Sequence, residues 1–371
     1  MPIRDLTASE VEWRSGPLAA AVVSDEPAFA FLAPTAADPA PPRVSERIAE
    51  HAGWLARRGL DLIPFAIASV LITSMLWGTL FLPVPLAIGL LAFHAYWLYR
   101  SLKIGLFGVI GYFRLRKHRR IDWRAKYDEA RGKARAGADI LAWEDIRHLI
   151  IIPTYLESIE KLRPTLDGLA GQVEPDKLFI VLAMEERDLE APEKAAILCE
   201  EYRDRFGGIF ATLHPAGIPG EVTGKSSNES WASVQAKRIL IDQRGMSLDH
   251  FTVTSCDADC IFPPTYYACL TYKFATDPKR YRRFWQSPIF LYNNIWDVPA
   301  PLRVPSALGG LNHLSRLCQP FAVIFPQSCY SLSYRLAVEV GHWDVDVVPE
   351  DWHMFLKCFF LTNGEVSVDR L

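Results

Sequence analysis

Two aspartates stand at the end of an apolar stretch in residues 251–264, FTVTSCDADCIFPP. The stretch begins with β-branched and aromatic residues and ends in a proline pair, so we predict a buried strand that runs into a loop. Asp257 and Asp259 would then lie at the carboxyl end of a strand, where open α/β sheets bind ligands. Two such carboxylates suit Mg²⁺ or Mn²⁺, whose other ligands are water and phosphate oxygens. The alternative is a solvated turn.

Two further residues could act with this pair. Lys225 follows a loop rich in glycine and proline and opens a predicted helix that runs through Ile241, so its side chain could contact a phosphate. Asp351 lies near the start of a predicted helix that ends at Leu361, where a carboxylate is favoured. The alternatives are a solvated lysine for the first residue and a helix cap without chemistry for the second.

The seven cysteines are scattered, and no Cys-x-x-Cys pair occurs. This pattern indicates neither a disulfide framework nor a zinc site. Cys256 and Cys260 flank the aspartate pair, and we interpret them as small apolar residues at a strand end. Free thiols fit a reducing compartment.

The elements that must position these residues alternate between strands and helices. Residues 148–153, 177–182 and 209–213 are apolar runs typical of strands buried on both faces, and residues 158–169 and 191–206 are typical of helices. Further helices are predicted at 266–276, 304–317 and 328–340, an extended segment at 284–288 and a short strand at 322–325. Together they predict an α/β fold, Rossmann-like, with a mostly parallel sheet and flanking helices.

A different organisation is expected before residue 147. Residues 1–43 predict a flexible segment rich in proline and alanine, and residues 44–61 an amphipathic interfacial helix. Residues 62–113 predict a hairpin of two transmembrane helices, because residues 62–82 carry no charge and Pro83 and Pro85 break the run. Basic residues on both sides of the hairpin place both its ends in the cytoplasm. Residues 114–146 predict a polar connector, and a buried hairpin in a soluble protein is the alternative for 62–113.

Composition narrows the functional classes. Of the 371 residues, 50% are hydrophobic and 22% are charged, so most of the chain can bury a core. The net charge of −3 gives no general attraction to nucleic acid, and we expect no nucleic-acid partner.

The ordered set of motifs resembles the cellulose-synthase-like group of membrane-bound family 2 glycosyltransferases, which have a GT-A fold. The resemblance covers residues 147–371. The matching segments, in chain order, are 153–157 (PTYLE), 185–186 (EE), Lys225 with Asn228, 257–259 (DAD), 334–335 (YR) with 341–344 (GHWD), and 349–351 (PED). A membrane hairpin ahead of the catalytic domain agrees with that group.

The resemblance implies a role for each matching residue. A nucleotide sugar, a UDP sugar in our prediction, would be bound by Thr154, Tyr155, Glu157, Glu185, Lys225 and Asp257. Asp259, together with Asp257, would hold a Mg²⁺ or Mn²⁺ ion that bridges the diphosphate. Asp351 would be the general base of an inverting transfer.

The acceptor side is predicted from aromatic residues and one acid. Flat rings near a site suit the faces of sugars, although core packing accounts for most such residues. The predicted acceptor-binding residues are Trp285, Trp343, Trp352 and Glu350. The implied acceptor is a growing polysaccharide or a lipid-linked glycan at the cytoplasmic face of the inner membrane, with membrane lipids as further partners.

The chain also departs from the family pattern. Leu156 stands where asparagine is frequent, Glu185-Glu186 stands where an aspartate is usual, and no Gln-x-x-Arg-Trp motif follows Asp351. We therefore expect a chain truncated at its C-terminus. Two other interpretations stay open: a nucleotide-sugar-binding pseudoenzyme or assembly scaffold, and a membrane protein whose soluble domain is only structural.

Overall fold

The computed structural model describes residues 54–135, 137–293 and 295–371. The predicted flexible segment and most of the predicted interfacial helix lie outside these residues. Contacts divide the chain into two compact units. The described parts of the first unit are residues 119–287 and 325–371, and those of the second are 54–118 and 288–324.

The elements are numbered here in chain order. The helices are α1 (Trp54–Phe81), α2 (Pro83–His118), α3 (Trp123–Lys133), α4 (Ile159–Ala170), α5 (Ala191–Glu201), α6 (Lys225–Ala236), α7 (Tyr266–Thr276), α8 (Ala300–Cys318), α9 (Tyr334–Glu339) and α10 (Glu350–Leu361). The strands are β1 (Arg147–Pro153), β2 (Leu178–Glu185), β3 (Gly208–His214), β4 (Phe251–Ser255), β5 (Arg283–Gln286), β6 (Tyr330–Ser333) and β7 (Ser367–Arg370).

The first unit contains one seven-stranded sheet in the order β3-β2-β1-β4-β6-β5-β7. The four strands β1 to β4 pair with one another in parallel, which confirms the predicted α/β class. Strand β6 runs antiparallel to both β4 and β5, and β7 pairs parallel with β5. The sheet is therefore mixed, with its parallel half formed by the apolar runs that the sequence predicts.

Alternate residues of the parallel strands enter two different cores. In β1, Ile150 and Ile152 pack into the core that contains α4, α5 and α7. Leu149 and Ile151 point to the opposite face, into the core that contains α6, α9 and α10. Because successive side chains of a strand alternate between faces, a strand buried on both faces must be apolar throughout.

Residues 119–146 of the predicted polar connector belong to the first unit. Trp123, Tyr127 and Trp143 are buried and pack in the first core. The Tyr127 hydroxyl donates to the Leu141 carbonyl at 2.8 Å, and the Trp143 indole donates to Glu174 at 2.9 Å. A few large aromatic side chains therefore anchor a segment that is mostly polar in composition.

The region between α8 and α9 differs from the prediction. Residues 322–325 do not form the predicted strand, and β6 occupies the beginning of the predicted helix at 328–340. Each residue of β6 lies opposite a residue of β4, from Ser255↔Tyr330 to Thr252↔Ser333. The short polar sequence YSLS becomes a strand because it pairs on both sides, and nothing in its own pattern indicates this.

The predicted transmembrane hairpin is not confirmed. The Leu82 N–H donates to the Gly78 carbonyl at 2.8 Å and the Leu86 N–H to the Leu82 carbonyl at 3.0 Å, so helical hydrogen bonds continue on both sides of Pro83. Among the described residues, Gly59–Phe81 is the one helical segment long and apolar enough to cross a membrane, with a mean hydropathy of 1.9. A single helix of this kind is weak evidence for a membrane location.

Helix α8 packs on α2 in the second unit. Gly108 and Gly111 of α2 are buried, and a Cβ at either position would lie 2.6 Å from a side-chain atom of Leu311 or Leu314. The two glycines therefore allow the leucines of α8 to approach the backbone of α2.

Gly207 provides a test of packing in the first unit. A Cβ at this position would lie 2.2 Å from the carbonyl oxygen of Asp176. Because that oxygen belongs to the backbone, it cannot rotate away, and we expect Gly207→Ala to destabilise the fold by about 1–3 kcal/mol in chemical denaturation. The matched control is Gly132→Ala on α3, where the new Cβ meets open space and a gain of up to about 1 kcal/mol is expected. Equal losses in both variants would contradict this account.

Candidate active site

A cleft of about 460 Å³ opens at the carboxyl ends of β1, β2 and β4. All the residues that line it belong to the first unit. They are Pro153, Thr154, Tyr155, Glu157, Lys161, Glu185, Arg187, Thr223, Gly224, Lys225, Asn228, Asp257, Ala258 and Asp259. The structure therefore brings the predicted nucleotide-binding and metal-binding residues together in one cleft, although they are spread over more than a hundred positions of the sequence.

Lys225 is the centre of an ionic cluster. It is the first residue of α6, and its Nζ lies 2.7 Å from Asp257 Oδ1, 2.7 Å from Glu350 Oε1 and 3.7 Å from Glu229 Oε1. The three acids come from the end of β4, the start of α10 and the next turn of α6. One ammonium group thus joins three elements that converge on the cleft.

The charges in this cluster shift one another's pKa. Burial disfavours the charged form of Lys225, but the carboxylates of Glu229, Asp257 and Glu350 hold its pKa well above the ordinary value. Burial raises the pKa of Glu229 to about 8, against the lowering effect of Lys225. Burial also raises the pKa of Glu350. At neutral pH the Glu229 carboxyl is therefore mainly protonated.

The pKa of Asp257 shifts in the opposite direction, below its ordinary value. Burial opposes its ionisation, but the charge of Lys225 and hydrogen bonds from Lys225 and Ser328 outweigh this effect and lower the pKa of Asp257. The cluster therefore holds an ionised aspartate at the edge of the cleft, next to a neutral glutamic acid behind it.

Ser328 connects Asp257 to Asp351. Its hydroxyl donates to Asp257 Oδ2, and its backbone N–H donates to Asp351 Oδ2 at 3.1 Å. The other oxygen of Asp351 accepts the N–H of Trp352 at 2.7 Å, in the first turn of α10. Ser328 has a φ of 55°, an uncommon conformation for a residue with a side chain, and one found at functional sites. The predicted general base does not line the cleft itself, but it lies one serine away from the aspartate that does.

Asp259 is exposed in the loop after β4 and lines the cleft beside Asp257. Both aspartates therefore contribute carboxylates to the lining of the cleft. A site with two carboxylates and room for water or phosphate oxygens fits the coordination of Mg²⁺ or Mn²⁺.

The other end of the cleft carries an aromatic ring and an ion pair. The Arg187 guanidinium lies 4.2 Å from the centre of the Tyr155 ring, and its Nε donates to Glu185 Oε2 at 2.8 Å. The backbone N–H of Tyr155 donates to Glu157 Oε2 at 2.5 Å. A half-exposed ring backed by a guanidinium forms a flat surface on which a planar ligand can stack.

Leu156 has a φ of 64°, in the left-handed region. Asparagine adopts this conformation more readily than leucine, so a leucine is an unusual residue at this position. The backbone N–H of Leu156 donates to Asp188 Oδ2 at 3.2 Å, and Asp188 in turn pairs with Lys194 at 3.0 Å. These contacts hold the strained residue in place.

Thr154 and Asn228 support the cleft from beneath. Both are buried, and both bond to the carbonyl of Ala183: Asn228 Nδ2 at 2.7 Å and the Thr154 hydroxyl at 3.3 Å. They tie β1 and α6 to β2. Their hydrogen bonds within the protein indicate a positioning role.

The structure separates the predicted acceptor-binding residues. Trp285 and Trp343 are 0% and 1% exposed and pack in the two cores, where a sugar ring cannot reach them, and we do not retain them as acceptor-binding residues. The Trp343 indole donates to the Tyr330 hydroxyl at 2.8 Å. Trp352 is 47% exposed and stacks on Phe325, with 5.2 Å between ring centres. Glu350 is buried and paired with Lys225, so of this group Trp352 alone presents a ring to solvent.

Sequence reasoning missed three residues of this site, namely Glu229, Ser328 and Arg187. Glu229 follows Lys225 by one helical turn, and this spacing could have indicated the pair. Ser328 and Arg187 carry no comparable signal, because their partners lie in distant parts of the chain or depend on a loop conformation.

No family model matches the chain, and no curated protein matches it. Matching solved structures include the mannosyltransferase PcManGT from Pyrobaculum calidifontis in complex with GDP-Man and Mn²⁺, with 17% identity, a TM-score of 0.39 and coverage of 72% of this chain and 66% of that one. The glucosyl-3-phosphoglycerate synthase from Mycobacterium tuberculosis, in complex with Mn²⁺, UDP and phosphoglyceric acid, matches with 15% identity, a TM-score of 0.37 and coverage of 64% and 74%.

GalNAc-T7, with UDP, GalNAc and Mn²⁺, matches with 10% identity, a TM-score of 0.34 and coverage of 61% of this chain and 42% of that one. Mn²⁺ is present in all three of these structures.

The raised pKa of Glu229 predicts a pH dependence of stability. Between the unfolded value of 4.5 and the folded value of about 8, the folded chain holds a proton that the unfolded chain releases. The contribution of Glu229 to stability therefore falls as the pH rises through this window. Glu229→Gln removes the titration and keeps an uncharged side chain of similar shape. The melting temperature of this variant minus that of the wild type should therefore increase as the pH rises from 4.5 to about 8.

The control for this measurement is Glu193→Gln, an exposed glutamate on α5. Its melting temperature should follow that of the wild type at every pH. If the curves of Glu229→Gln and the wild type stay parallel across the window, Glu229 is not a buried neutral acid.

Proposed function

We propose that this protein is a metal-dependent glycosyltransferase that moves a sugar from a nucleotide sugar to a glycan or lipid-linked acceptor. The observation that carries the proposal is the cleft in which Lys225, Asp257 and Asp259 meet at the carboxyl ends of parallel strands, with Asp351 bonded to the same serine as Asp257. Ligands of open α/β sheets bind at this edge. The volume of about 460 Å³ is of the size of small-molecule sites.

The donor would lie along the cleft. Tyr155, Glu157 and Glu185 would take the base and ribose, with the Tyr155 ring backed by Arg187 as a stacking surface. Lys225 would face the diphosphate, where its positive charge and the N-terminus of α6 both favour an anion. We propose a UDP sugar as the donor and a GT-A arrangement for this half of the chain.

Asp259 and Asp257 would hold Mg²⁺ or Mn²⁺. When bound, the ion would neutralise the charge that develops on the leaving diphosphate. Asp257 also accepts hydrogen bonds from Lys225 and Ser328, which keep it ionised and fix its orientation toward the cleft.

Asp351 would act as the general base of an inverting transfer. It would accept the proton of the acceptor hydroxyl as that oxygen attacks the anomeric carbon. The N–H groups of Ser328 and Trp352 orient its carboxylate, and the N-terminus of α10 favours its negative charge. Trp352 beside it offers an exposed ring to a sugar acceptor.

The proposed cellular location of the reaction depends on helix α1. Gly59–Phe81 is long and apolar enough to cross a membrane, and basic residues lie at the end of α2 and directly after it, from Arg114 to Arg120. We propose a membrane-anchored enzyme whose catalytic unit faces the cytoplasm.

The second candidate is a nucleotide-sugar-binding protein without catalysis, such as a scaffold for a polysaccharide synthase. One observation favours this candidate: both carboxylate oxygens of Asp257 and Oε2 of Glu185 already accept hydrogen bonds within the protein. In this case the cleft would bind the nucleotide sugar, and the acids would have a structural role.

Two aspartate variants distinguish these candidates. In a sugar-transfer assay with Mn²⁺, Asp351→Asn should lower the rate by at least about 100-fold and leave UDP binding unchanged, because it removes the base and keeps the donor site. Asp259→Asn should weaken the binding of UDP in the presence of Mn²⁺ in calorimetry, and should not change its binding without metal.

The control is Asp204→Asn, an exposed aspartate away from the cleft, which should keep full activity. Binding of UDP with Mn²⁺ by a wild-type chain that transfers no sugar to any acceptor would support the scaffold. Failure of the wild type to bind UDP at all would end both proposals.

A further inference from the structure

The fold brings three cysteines together behind the aspartate loop. The Sγ atoms of Cys256, Cys260 and Cys329 all lie within 4.8 Å of one another. Cys256 and Cys329 are buried, and Cys260 is half-buried. Among the described residues, this is the one group of three or more histidine, cysteine or acidic side chains whose ligand atoms are close enough to share an ion.

The pairing of two strands brings these cysteines together. Cys256 directly follows β4 and Cys329 directly precedes β6, and these strands pair antiparallel with Ser255 opposite Tyr330. The same register places Cys256 opposite Cys329. Cys260 returns to the pair through the turn in which its N–H donates to the Asp257 carbonyl at 3.1 Å. The sequence alone shows no metal-binding spacing, because the third cysteine lies about seventy positions away.

We propose that Cys256, Cys260 and Cys329 form a binding site for a thiophilic metal ion of the Zn²⁺ class, separate from the carboxylate site in the cleft. A zinc–sulfur bond is about 2.3 Å long, so three sulfurs around one ion lie about 3.8–4.0 Å apart. The observed sulfurs need to approach by no more than about 1 Å to reach this spacing. On binding, the thiol protons leave to solvent.

The surroundings of the sulfurs fit such a site. The backbone N–H of Asp257 points to Cys329 Sγ at 3.3 Å, a contact that stabilises a metal-bound thiolate. Cys260 is partly exposed, which gives the ion an entry path. Three thiolates bind soft or borderline metals, whereas the carboxylates of the cleft favour Mg²⁺ or Mn²⁺. The difference in ligand type would keep the two metals apart.

The position of the three cysteines indicates the role of a bound metal. The metal would join the end of β4 to the start of β6, directly beside Asp257 and Ser328. Its role is therefore structural: it would fix the loop on which the aspartates are presented.

The test uses Co²⁺ as a spectroscopic probe. The full-length chain is treated with a chelator, reduced with a phosphine and titrated with CoCl₂ in the absence of oxygen. We expect a single equivalent of Co²⁺ to produce thiolate-to-cobalt charge-transfer absorption, which Zn²⁺ then displaces. Each of Cys256→Ser, Cys260→Ser and Cys329→Ser should weaken or abolish this absorption.

Two controls make the outcome specific. Cys199→Ser changes a buried cysteine of α5 and should keep the full signal. Asp259→Asn changes the proposed carboxylate site and should also keep it, so the result does not depend on the proposed glycosyltransferase function. Cys260→Ser is the most informative variant, because its half-buried position makes it the least disruptive of the three, and circular dichroism checks its fold.

Three results would overturn the proposal. The first is the absence of thiolate absorption when Co²⁺ is added to the reduced wild type. The second is an absorption that survives in Cys260→Ser, and the third is an equal loss of the absorption in Cys199→Ser. In the first case the three thiols are core residues or a disulfide pair, and peptide mapping of the unreduced chain shows which of the two is correct.

Discussion

The ammonium group of Lys225 is the constraint on which the site depends. It lies between carboxylates of Asp257, Glu350 and Glu229, which belong to three different elements of the fold. Without this charge, the carboxylates of Asp257 and Glu350 would face each other across a partly buried space, and their repulsion would oppose the packing of α10 and of the β4 loop against α6. The same charge keeps Asp257 ionised. A single interaction therefore stabilises the fold around the cleft and sets the charge state within it.

The parallel half of the sheet could be predicted from the sequence, whereas in the other half only β5 was indicated, by the extended segment at 284–288. Strands such as β1 and β2 are buried on both faces, so their apolar runs are continuous and easy to recognise. Strands β6 and β7 are four residues long and contain polar residues. They form because neighbouring strands offer them partners, and this information lies in the pairing and not in the local pattern. The assignment of α8 shows the same limit, since its helical pattern does not show that it packs on α2.

Some residues of the candidate site could also be predicted from the sequence, and others could not. Residues at strand ends, such as Tyr155, Glu185 and Asp257, could be predicted because a parallel sheet delivers all its carboxyl ends to one edge. The roles of Trp285 and Trp343 could not, because an aromatic residue that binds a sugar and one that fills a core have the same composition signal. Ser328 was missed for a third reason. It is important because of a backbone conformation and two hydrogen bonds, and a serine in a loop indicates neither.

The contact between the end of β4 and the start of β6 links the two sites of the molecule. In each segment, adjacent residues make different contacts. Cys256 and Cys329 belong to the sulfur cluster, whereas Ser328 bonds to Asp257, which lines the cleft. The Asp257 N–H reaches back to Cys329, so one residue takes part in both groups. Because adjacent residues share a backbone, a change that draws the sulfurs together would also move the hydroxyl and the backbone N–H of Ser328, which donate to Asp257 and Asp351. The state of the three thiols and the geometry of the acidic site are therefore coupled through a few bonds of the main chain, over a path too short and too well packed to absorb a shift of this kind.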